Sequence, residues 1–233
     1  MVVLTERREP IGSLPKASRT REAYLRIKQD IMRNALPPGF QCMETELAER
    51  LGISRTPVHE ALVKLVDDGL IELKARRGMR VLPISIEEMR DIYDLLKMLE
   101  PECAAALAAQ GLSPSQLAEL AATVTAMEAA IDRGELAGWA IADDRFHRLH
   151  LDYVRNRRLA KIIARLLDQA HRVRMFTLKF RKVPHKSTSD HARMVKLLKQ
   201  RNVERVRKLY RRHRENAAVE LFQILHRYDL QQL

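Results

Sequence analysis

Residues 143–150 read DDRFHRLH, which places two carboxylates and two imidazoles within about two helical turns. On an α-helix, side chains four positions apart lie on the same face, so Asp143 and His147 could bind one metal ion together. A carboxylate combined with neutral imidazoles suits zinc and other first-row divalent ions. A solvated polar helix face has the same composition, and the octapeptide alone favours that second interpretation.

The elements that must position these side chains are helical. Of 233 residues, 46% are apolar, 5% are aromatic and 8 are glycine, and the most frequent residues are strong helix formers. No apolar run approaches the roughly 20 residues of a membrane span, and the N-terminus has no apolar core of signal-peptide length. We therefore expect a mainly α-helical protein outside the membrane.

The two cysteines, Cys42 and Cys103, lie far apart and form no C-x-x-C pair. This usage is typical of the reducing cytoplasm and does not provide a disulfide framework. We expect a cytoplasmic protein in which both thiols are small core residues.

Charge is distributed unevenly along the chain, whose net charge is +12. Residues 84–152 contain 5 Lys and Arg against 13 Asp and Glu, whereas residues 153–214 contain 21 against 3. Two interpretations remain open. Either acidic helices lie against basic ones, or the basic part binds an anion or makes a secondary contact with DNA.

The segment ETELAERLGISRTPVHEALVKLVDDGL predicts a helix-turn-helix. Ala48 is small where two helices must cross, and Gly52 provides the positive φ that the turn requires. Thr56 is a suitable N-cap, with Pro57 at the first helical position.

Two β-prone runs, LIEL and MRVL, follow at once around the basic turn KARRG. They predict a hairpin with Arg77 at its tip. A helix-turn-helix followed by a basic hairpin is typical of a winged helix, which binds DNA. A hairpin with a merely solvated basic tip is the alternative.

The composition changes after Pro83, where about six helical patterns joined by short polar breaks predict an antiparallel bundle. Pro101 would kink or break the first of these helices. We expect a flexible tail over residues 1–18, a winged-helix DNA-binding domain over 19–83, and a helical effector-binding and dimerisation domain over 84–233.

With these residues in view, the chain resembles GntR-family transcriptional regulators of the FadR subfamily. The segment LAERLGISRTPVHEALVKLVDDGLI is similar to the DNA-binding signature of the family. The bundle is similar to the FCD-type ligand-binding domain. The similarity lies in LEPECAAALAA, the Asp-x-x-Phe-His run from Asp143 to His147, Asn156 at the start of the next helix, and DHARMVKLLKQRNVERVRKLYRRH.

The resemblance implies a metal site in the bundle. Many members of the subfamily hold a divalent ion with one Asp and three His, and the matching positions here are Asp143, His147, His191 and His213. Zinc is the preferred ion, with nickel and manganese as alternatives. His150 does not match a ligand position.

Two positions depart from the pattern of the family. His59 stands in the recognition helix where the family usually has Arg, and imidazole cannot make the bidentate contact by which Arg reads guanine. Leu96 stands where the family commonly has an Arg that meets the carboxylate of an effector. Arg174 could substitute for that Arg if it points inward, or it could lie on the solvated flank of its helix.

The resemblance implies a non-enzymatic, metabolite-responsive regulator, with repression relieved by ligand as the commoner mode. We expect a homodimer on a pseudo-palindromic operator, with Arg55, Thr56, His59 and Arg77 contacting double-stranded DNA and an organic acid binding in the bundle. Two alternatives remain: a metal-free sensor of acyl chains or acyl thioesters on the same scaffold, and a metallohydrolase.

Overall fold

A computed structural model describes residues 16–228, and the chain divides into two compact units between Pro83 and Ile84. A tail was predicted over residues 1–18, and residues 1–15 of it lie outside the described residues. Helix α1 begins at Lys16, so the last three residues assigned to the tail are helical. No helix among residues 16–228 is long and apolar enough to span a membrane.

The N-terminal unit contains three helices and a small sheet. Its elements in chain order are α1 (Lys16–Met32), β1 (Gln41–Cys42), α2 (Glu44–Leu51), α3 (Arg55–Asp67), β2 (Ile71–Lys74) and β3 (Gly78–Val81). The strands are antiparallel in the order β1-β3-β2. The helix-turn-helix and the hairpin predicted from the sequence are therefore present.

Two glycines are required by this unit. Gly52 ends α2 in the left-handed region, with φ 66°, as predicted for the turn. Gly78 has φ 74°, and a Cβ atom at this residue would lie 2.1 Å from the carbonyl oxygen of Cys42. The absence of a side chain at Gly78 therefore allows β1 to pair with β3. Strand β1, which has only two residues, was not predicted from the sequence.

The start of α3 differs from the prediction. The N-cap is Ser54, which has extended backbone angles, and Thr56 lies inside the first turn. Both residues are of the N-cap type, so composition could not decide between them. Pro57 at the third helical position costs no hydrogen bond, because the first N–H groups of a helix have no intrahelical acceptor.

The C-terminal unit is a bundle of six α-helices within the described residues. They are α4 (Ile86–Gln110), α5 (Pro114–Asp132), α6 (Leu136–Tyr153), α7 (Arg157–Thr177), α8 (His185–Lys199) and α9 (Val203–Arg227), with a 3₁₀ turn at Leu178–Phe180. Together with the first unit this confirms the predicted fold class of a winged helix followed by an all-helical bundle.

Short polar residues begin several of these helices. Ser85 and Ser113 accept hydrogen bonds from Glu88 N and Gln116 N, and Asn156 accepts one from Leu159 N. Of the kink or break predicted at Pro101, the break is wrong, because α4 continues through this residue to Gln110. Pro101 is buried in the bundle, and packing there keeps the helix continuous.

The acidic and basic parts of the bundle lie against each other, which was one of the two interpretations of the charge distribution. Helix α4 packs on α9 and α7, and α6 packs on α7. Buried or half-buried ion pairs cross these contacts, including Arg214 with Glu100 and Arg148 with Asp168. The folded arrangement therefore compensates much of the charge that the sequence separates.

Both cysteines have free thiols. Cys103 is buried, with burial raising the pKa of its thiol to about 12, and its Sγ lies 4.0 Å from the His150 carbonyl oxygen. Cys42 is half-buried, and burial raises the pKa of its thiol to about 11. The two residues belong to different units.

Candidate functional site

Helix α6 supplies two of the four predicted metal ligands. Asp143 and His147 are one turn apart on its inward face and are 2% and 1% exposed. Burial of both side chains contradicts the solvated-face interpretation of DDRFHRLH. A buried carboxylate beside a buried imidazole needs a compensating partner, because desolvated charge is costly.

The other two predicted ligands come from helices that are distant in sequence. His191 lies on α8 and is fully buried, and His213 lies on α9 with 4% exposure. The ligand atoms of the four residues all lie within 4.8 Å of one another. Three helices therefore bring together four side chains, which are called the quartet below: Asp143, His147, His191 and His213.

The quartet has the protonation states that metal binding requires. Burial is the largest influence on its three histidines and lowers the pKa of each, to about 4 for His191 and well below the usual value for His147 and His213. Burial alone would raise the pKa of Asp143, but Arg174 and the neighbouring imidazoles outweigh it, so that pKa is lowered. Neutral imidazoles and an ionised carboxylate carry free lone pairs at neutral pH.

Two side chains contact the Nδ1 side of the His147 ring, which faces away from the other ligands, and orient the ring. Its Nδ1 lies 2.7 Å from the hydroxyl of Tyr210 and 3.2 Å from the carboxylate of Glu100. When Nδ1 donates to one of these oxygens, the proton of the neutral ring is on Nδ1 and the lone pair on Nε2 is available to a metal ion. Nε2 is the nitrogen that faces the rest of the quartet.

Glu100 is held in turn by Arg214. The two side chains are 3% and 0% exposed and are in direct contact, with Arg214 Nη2 donating to Glu100 Oε1 at 2.7 Å. Burial would lower the pKa of Arg214, but the Glu100 carboxylate outweighs it and keeps the guanidinium charged. A buried pair of this kind fixes geometry more than it adds stability.

The spacing of the donor atoms fits a metal ion. In a tetrahedral zinc shell, ligand atoms about 2.0–2.1 Å from the ion are about 3.3–3.5 Å apart. The two Nε2 atoms of His147 and His191 are 3.4 Å apart, and His191 Nε2 is 3.6 Å from Asp143 Oδ1, close to these values. His147 Nε2 is 3.9 Å from Asp143 Oδ2, and the ligand atoms of the quartet are separated by up to 4.8 Å, so the ligands would move closer together around an ion. Two lone-pair nitrogens as close as those of His147 and His191 repel each other unless a proton or a cation lies between them, so the donor set suits a divalent ion.

Arg174 points inward, which decides between the two orientations considered for it. It is 6% exposed, and its Nη1 donates to Asp143 Oδ2 at the edge of the quartet. Leu96, at the position where the family commonly has Arg, is fully buried in the apolar core. The cationic side chain beside the quartet therefore comes from α7 in this protein.

A cavity of about 490 Å³ opens beside the quartet. Asp143 and His213 contribute to its wall, as do Arg174, Trp139 and Tyr93. Its lining residues include five cationic side chains and three carboxylates: Arg174, Arg181, Lys182, Lys186 and Arg214, with Asp143, Asp190 and Glu220. The cavity is large enough for a small metabolite and favours an anion.

Sequence reasoning missed the residues that support this site. In the sequence Glu100 stands out only as part of the segment LEPECAAALAA, which is similar to the FCD-type domain, and the roles of Tyr210 and Arg214 are not predicted. Tyr210 lies three positions before His213, on the same face of α9, so helical spacing could have suggested it. No periodicity could have suggested Arg181, because it follows a 3₁₀ turn.

The predicted DNA-contacting residues lie on the surface of the N-terminal unit. Arg55, Thr56 and His59 are exposed along the first turns of α3. His59 Nδ1 lies 3.0 Å from the carboxylate of Glu44 on α2, and its side chain is 54% exposed. Arg77 is exposed in the turn between β2 and β3. The helix and the wing tip therefore both offer donors to solvent.

Comparisons with known proteins agree with this architecture. Residues 19–81 match the family described as bacterial regulatory proteins, gntR family, and residues 91–216 match the FCD domain. An uncharacterised HTH-type transcriptional regulator from the TAR-I ttuE-ttuC' intergenic region of Agrobacterium vitis is 39% identical over 137 residues, which cover 58% of this chain and 80% of the relative.

Two further comparisons span most of the chain. The HTH-type transcriptional repressor RspR of Escherichia coli K12 is 29% identical over 205 residues, covering 87% of this chain and 89% of RspR. The solved structure of E. coli McbR/YncC has a TM-score of 0.78 at 22% identity and covers 88% of this chain and 97% of that one. The comparison with McbR/YncC shows a shared fold.

Proposed function

We propose a specific mode of action for this chain, which belongs to the gntR family of bacterial regulatory proteins and carries an FCD domain. Its relatives and structural neighbours are transcriptional regulators and not enzymes, so the chain is a transcriptional regulator. Our proposal is that it is a FadR-subfamily repressor, in which an organic acid bound beside a divalent metal ion lowers the affinity of the winged helix for its operator.

The proposed operator is a short pseudo-palindrome bound by a homodimer. Recognition helices of dimeric helix-turn-helix proteins enter successive major grooves, which requires symmetric half-sites. Exposure of Arg55, Thr56 and His59 on α3 supports contacts to base edges and phosphates. Arg77 at the wing tip would reach the minor groove or the backbone.

The observation that carries the metal proposal is the convergence of the quartet inside the bundle. Asp143, His147, His191 and His213 would hold the ion, with Glu100 and Tyr210 orienting His147 from behind. A bound divalent ion, zinc for preference, would neutralise repulsion among these groups and offer a Lewis-acidic position to an oxygen of the effector. Arg174 would bind a carboxylate of the effector next to it.

The proposal includes a change of affinity between two sites. If the effector binds one arrangement of the two units more tightly than another, it shifts the population of the DNA-binding arrangement. The alternative of a metal-free acyl-chain sensor fits less well, because it leaves the buried quartet without a cation. The cavity wall does include apolar side chains such as Leu136 and Leu178, but five cationic side chains lie among them.

The experiment is measurement of metal content by mass spectrometry on untagged protein that was purified without chelator. We expect close to one divalent ion per chain, and loss of the ion in His191→Ala. His150→Ala is the matched control, because His150 is a buried histidine of the same bundle outside the quartet. Absence of metal from the wild type, or equal loss in both variants, would exclude the quartet as the site.

A further inference from the structure

The polar atoms left without a partner in the wall of the cavity are donors or can act as donors. Arg181 Nε and Nη2, Arg214 Nη1, Asn216 Nδ2 and the hydroxyl of Tyr93 are buried and have no hydrogen-bond partner among the described residues. A buried donor without an acceptor is unfavourable, because it has lost its hydrogen bonds to water without gaining a partner. The cavity therefore suits a ligand that is rich in acceptor oxygens.

Arg181 contributes to the cavity wall and has one guanidinium edge without a partner. Its side chain is 7% exposed, and its Nη1 donates to Glu220 Oε2 at 2.8 Å. The two nitrogens without a partner, Nε and Nη2, form one side of the guanidinium fork. Two parallel N–H groups on one side of a guanidinium match the two oxygens of a carboxylate.

Helix α9 sets the distance between this edge and the quartet. His213, Asn216 and Glu220 follow the spacing i, i+3 and i+7, so they share one face of the helix and all contribute to the cavity wall. His213 and Glu220 are two turns apart, which is roughly 10 Å along the axis. Arg181 is bound to Glu220 and is therefore tied to the turn of α9 that lies this far along the axis from His213.

Asn216 lies between the two ends. Its Nδ2 is the unpartnered donor midway along this face of α9, and the unpartnered Tyr93 hydroxyl also contributes to the cavity wall. Neither group carries a charge, so each suits a hydroxyl or carbonyl oxygen. The wall thus offers a cationic donor towards each end of this face of α9, the neutral donor of Asn216 between them, and the Tyr93 hydroxyl elsewhere in the wall.

We infer that Arg181 anchors a second acidic group of the effector, which is a hydroxylated dicarboxylate with a chain of about six carbons. One carboxylate binds at Arg174 and the quartet, the other binds at Nε and Nη2 of Arg181, and the hydroxyl groups between them bind Asn216 and Tyr93. A six-carbon diacid with a ligand bond at one end and a hydrogen bond at the other has the required length. This inference rests on the proposed function.

The test compares two acids of the same length by titration calorimetry on the full chain loaded with its metal. Glucarate has a carboxylate at both ends, whereas gluconate has a hydroxymethyl group at one end. We expect the wild type to bind glucarate at least tenfold more tightly. Arg181→Gln should reduce the affinity for glucarate tenfold to a hundredfold, while the affinity for gluconate changes less than twofold.

Lys182→Gln is the matched control, because it removes the same charge from an exposed residue that borders the cavity next to Arg181. It should change the preference for glucarate less than twofold. Arg181→Lys guards against a folding defect, because it keeps the charge and removes the fork, and its preference should fall to about a third of the wild-type value. Metal content should be unchanged in all three variants.

The outcomes separate this inference from the proposed function. If both acids bind the wild type equally, or if Arg181→Gln and Arg181→Lys leave the preference unchanged, the second anchor is excluded and the organic-acid site at the quartet stands. If neither acid binds metal-loaded wild type, the proposed effector class and the inference both fail. If metal is absent as well, the metal site fails with them.

Discussion

In the N-terminal unit the residues expected to contact DNA lie on the surface, whereas in the helical unit the expected metal ligands are all buried. Arg55 and Thr56 are exposed on α3, while Asp143 and His191 are at most 2% exposed. Surface donors can be removed with little change in folding stability. Buried polar clusters depend on their partners, so ligand binding and stability are coupled in the bundle.

The largest effect is expected on the stability of the helical unit, because this unit contains the proposed metal site. Adding a chelator to wild-type protein should lower the melting temperature of the bundle by about 5–10 °C, because a ligand present at 100 times its Kd contributes about 2.7 kcal/mol. Differential scanning calorimetry measures the shift. His191→Ala should show no response to the chelator. An equal response in both proteins would mean that the stabilising ion binds elsewhere.

Removing a surface contact should affect DNA binding and leave folding unchanged. Arg55→Ala should weaken operator binding about tenfold to a hundredfold at fixed salt, because one good contact to a base edge contributes about 1–3 kcal/mol. Fluorescence anisotropy measures the Kd. Lys64→Ala is the control, since Lys64 is an exposed cation on the same helix, two and a half turns later and so on the opposite face. Unchanged affinity in Arg55→Ala would contradict the assignment of α3.

A substitution at His59 tests whether the base preference of α3 can be changed while the helical unit keeps its sequence. His59→Arg restores the fork that reads guanine, so affinity for an operator with guanine at the contacted position should rise by roughly fivefold or more. Selection from a randomised half-site would reveal the new preference. Loss of the contact with Glu44 should cost little, because the His59 side chain is more than half exposed. An unchanged selected sequence would place His59 away from the bases.

The smallest effect is expected at the wing. Arg77→Ala should weaken binding about two- to fivefold on all DNA sequences and reduce the salt dependence by about one counterion. Binding isotherms at several salt concentrations give this slope. A sequence-dependent loss would instead indicate that Arg77 reads a specific step in the minor groove.

The two units also differ in how much of them could be predicted from the sequence. The helix-turn-helix was predictable because Gly52 and the flanking apolar residues are local requirements of the turn. The boundary of α3 was not, because Ser54 and Thr56 are both N-cap residue types and the extended backbone angles of Ser54 decide between them. Strand β1 was missed because its two residues are defined only by pairing with β3.

In the bundle, the ligand positions were carried over from matching motifs, and their approach to within 4.8 Å depends on tertiary packing. The inward orientation of Arg174 could not be decided from its position at the edge of a helical stripe, because a long cationic side chain can turn either way. The role of Arg181 could not be predicted from the sequence for a different reason. Its place in the cavity depends on the 3₁₀ turn at Leu178–Phe180 and on Glu220, 39 residues later.

The two cysteines have a practical consequence for spectroscopy. Thiolates are the nucleophiles in alkylation, and burial raises the pKa of Cys42 to about 11 and that of Cys103 to about 12. At neutral pH both native thiols should react slowly with maleimides while the protein is folded. A single exposed cysteine introduced in each unit would therefore accept a fluorophore selectively, so distance changes between the units could be followed without first removing the native residues.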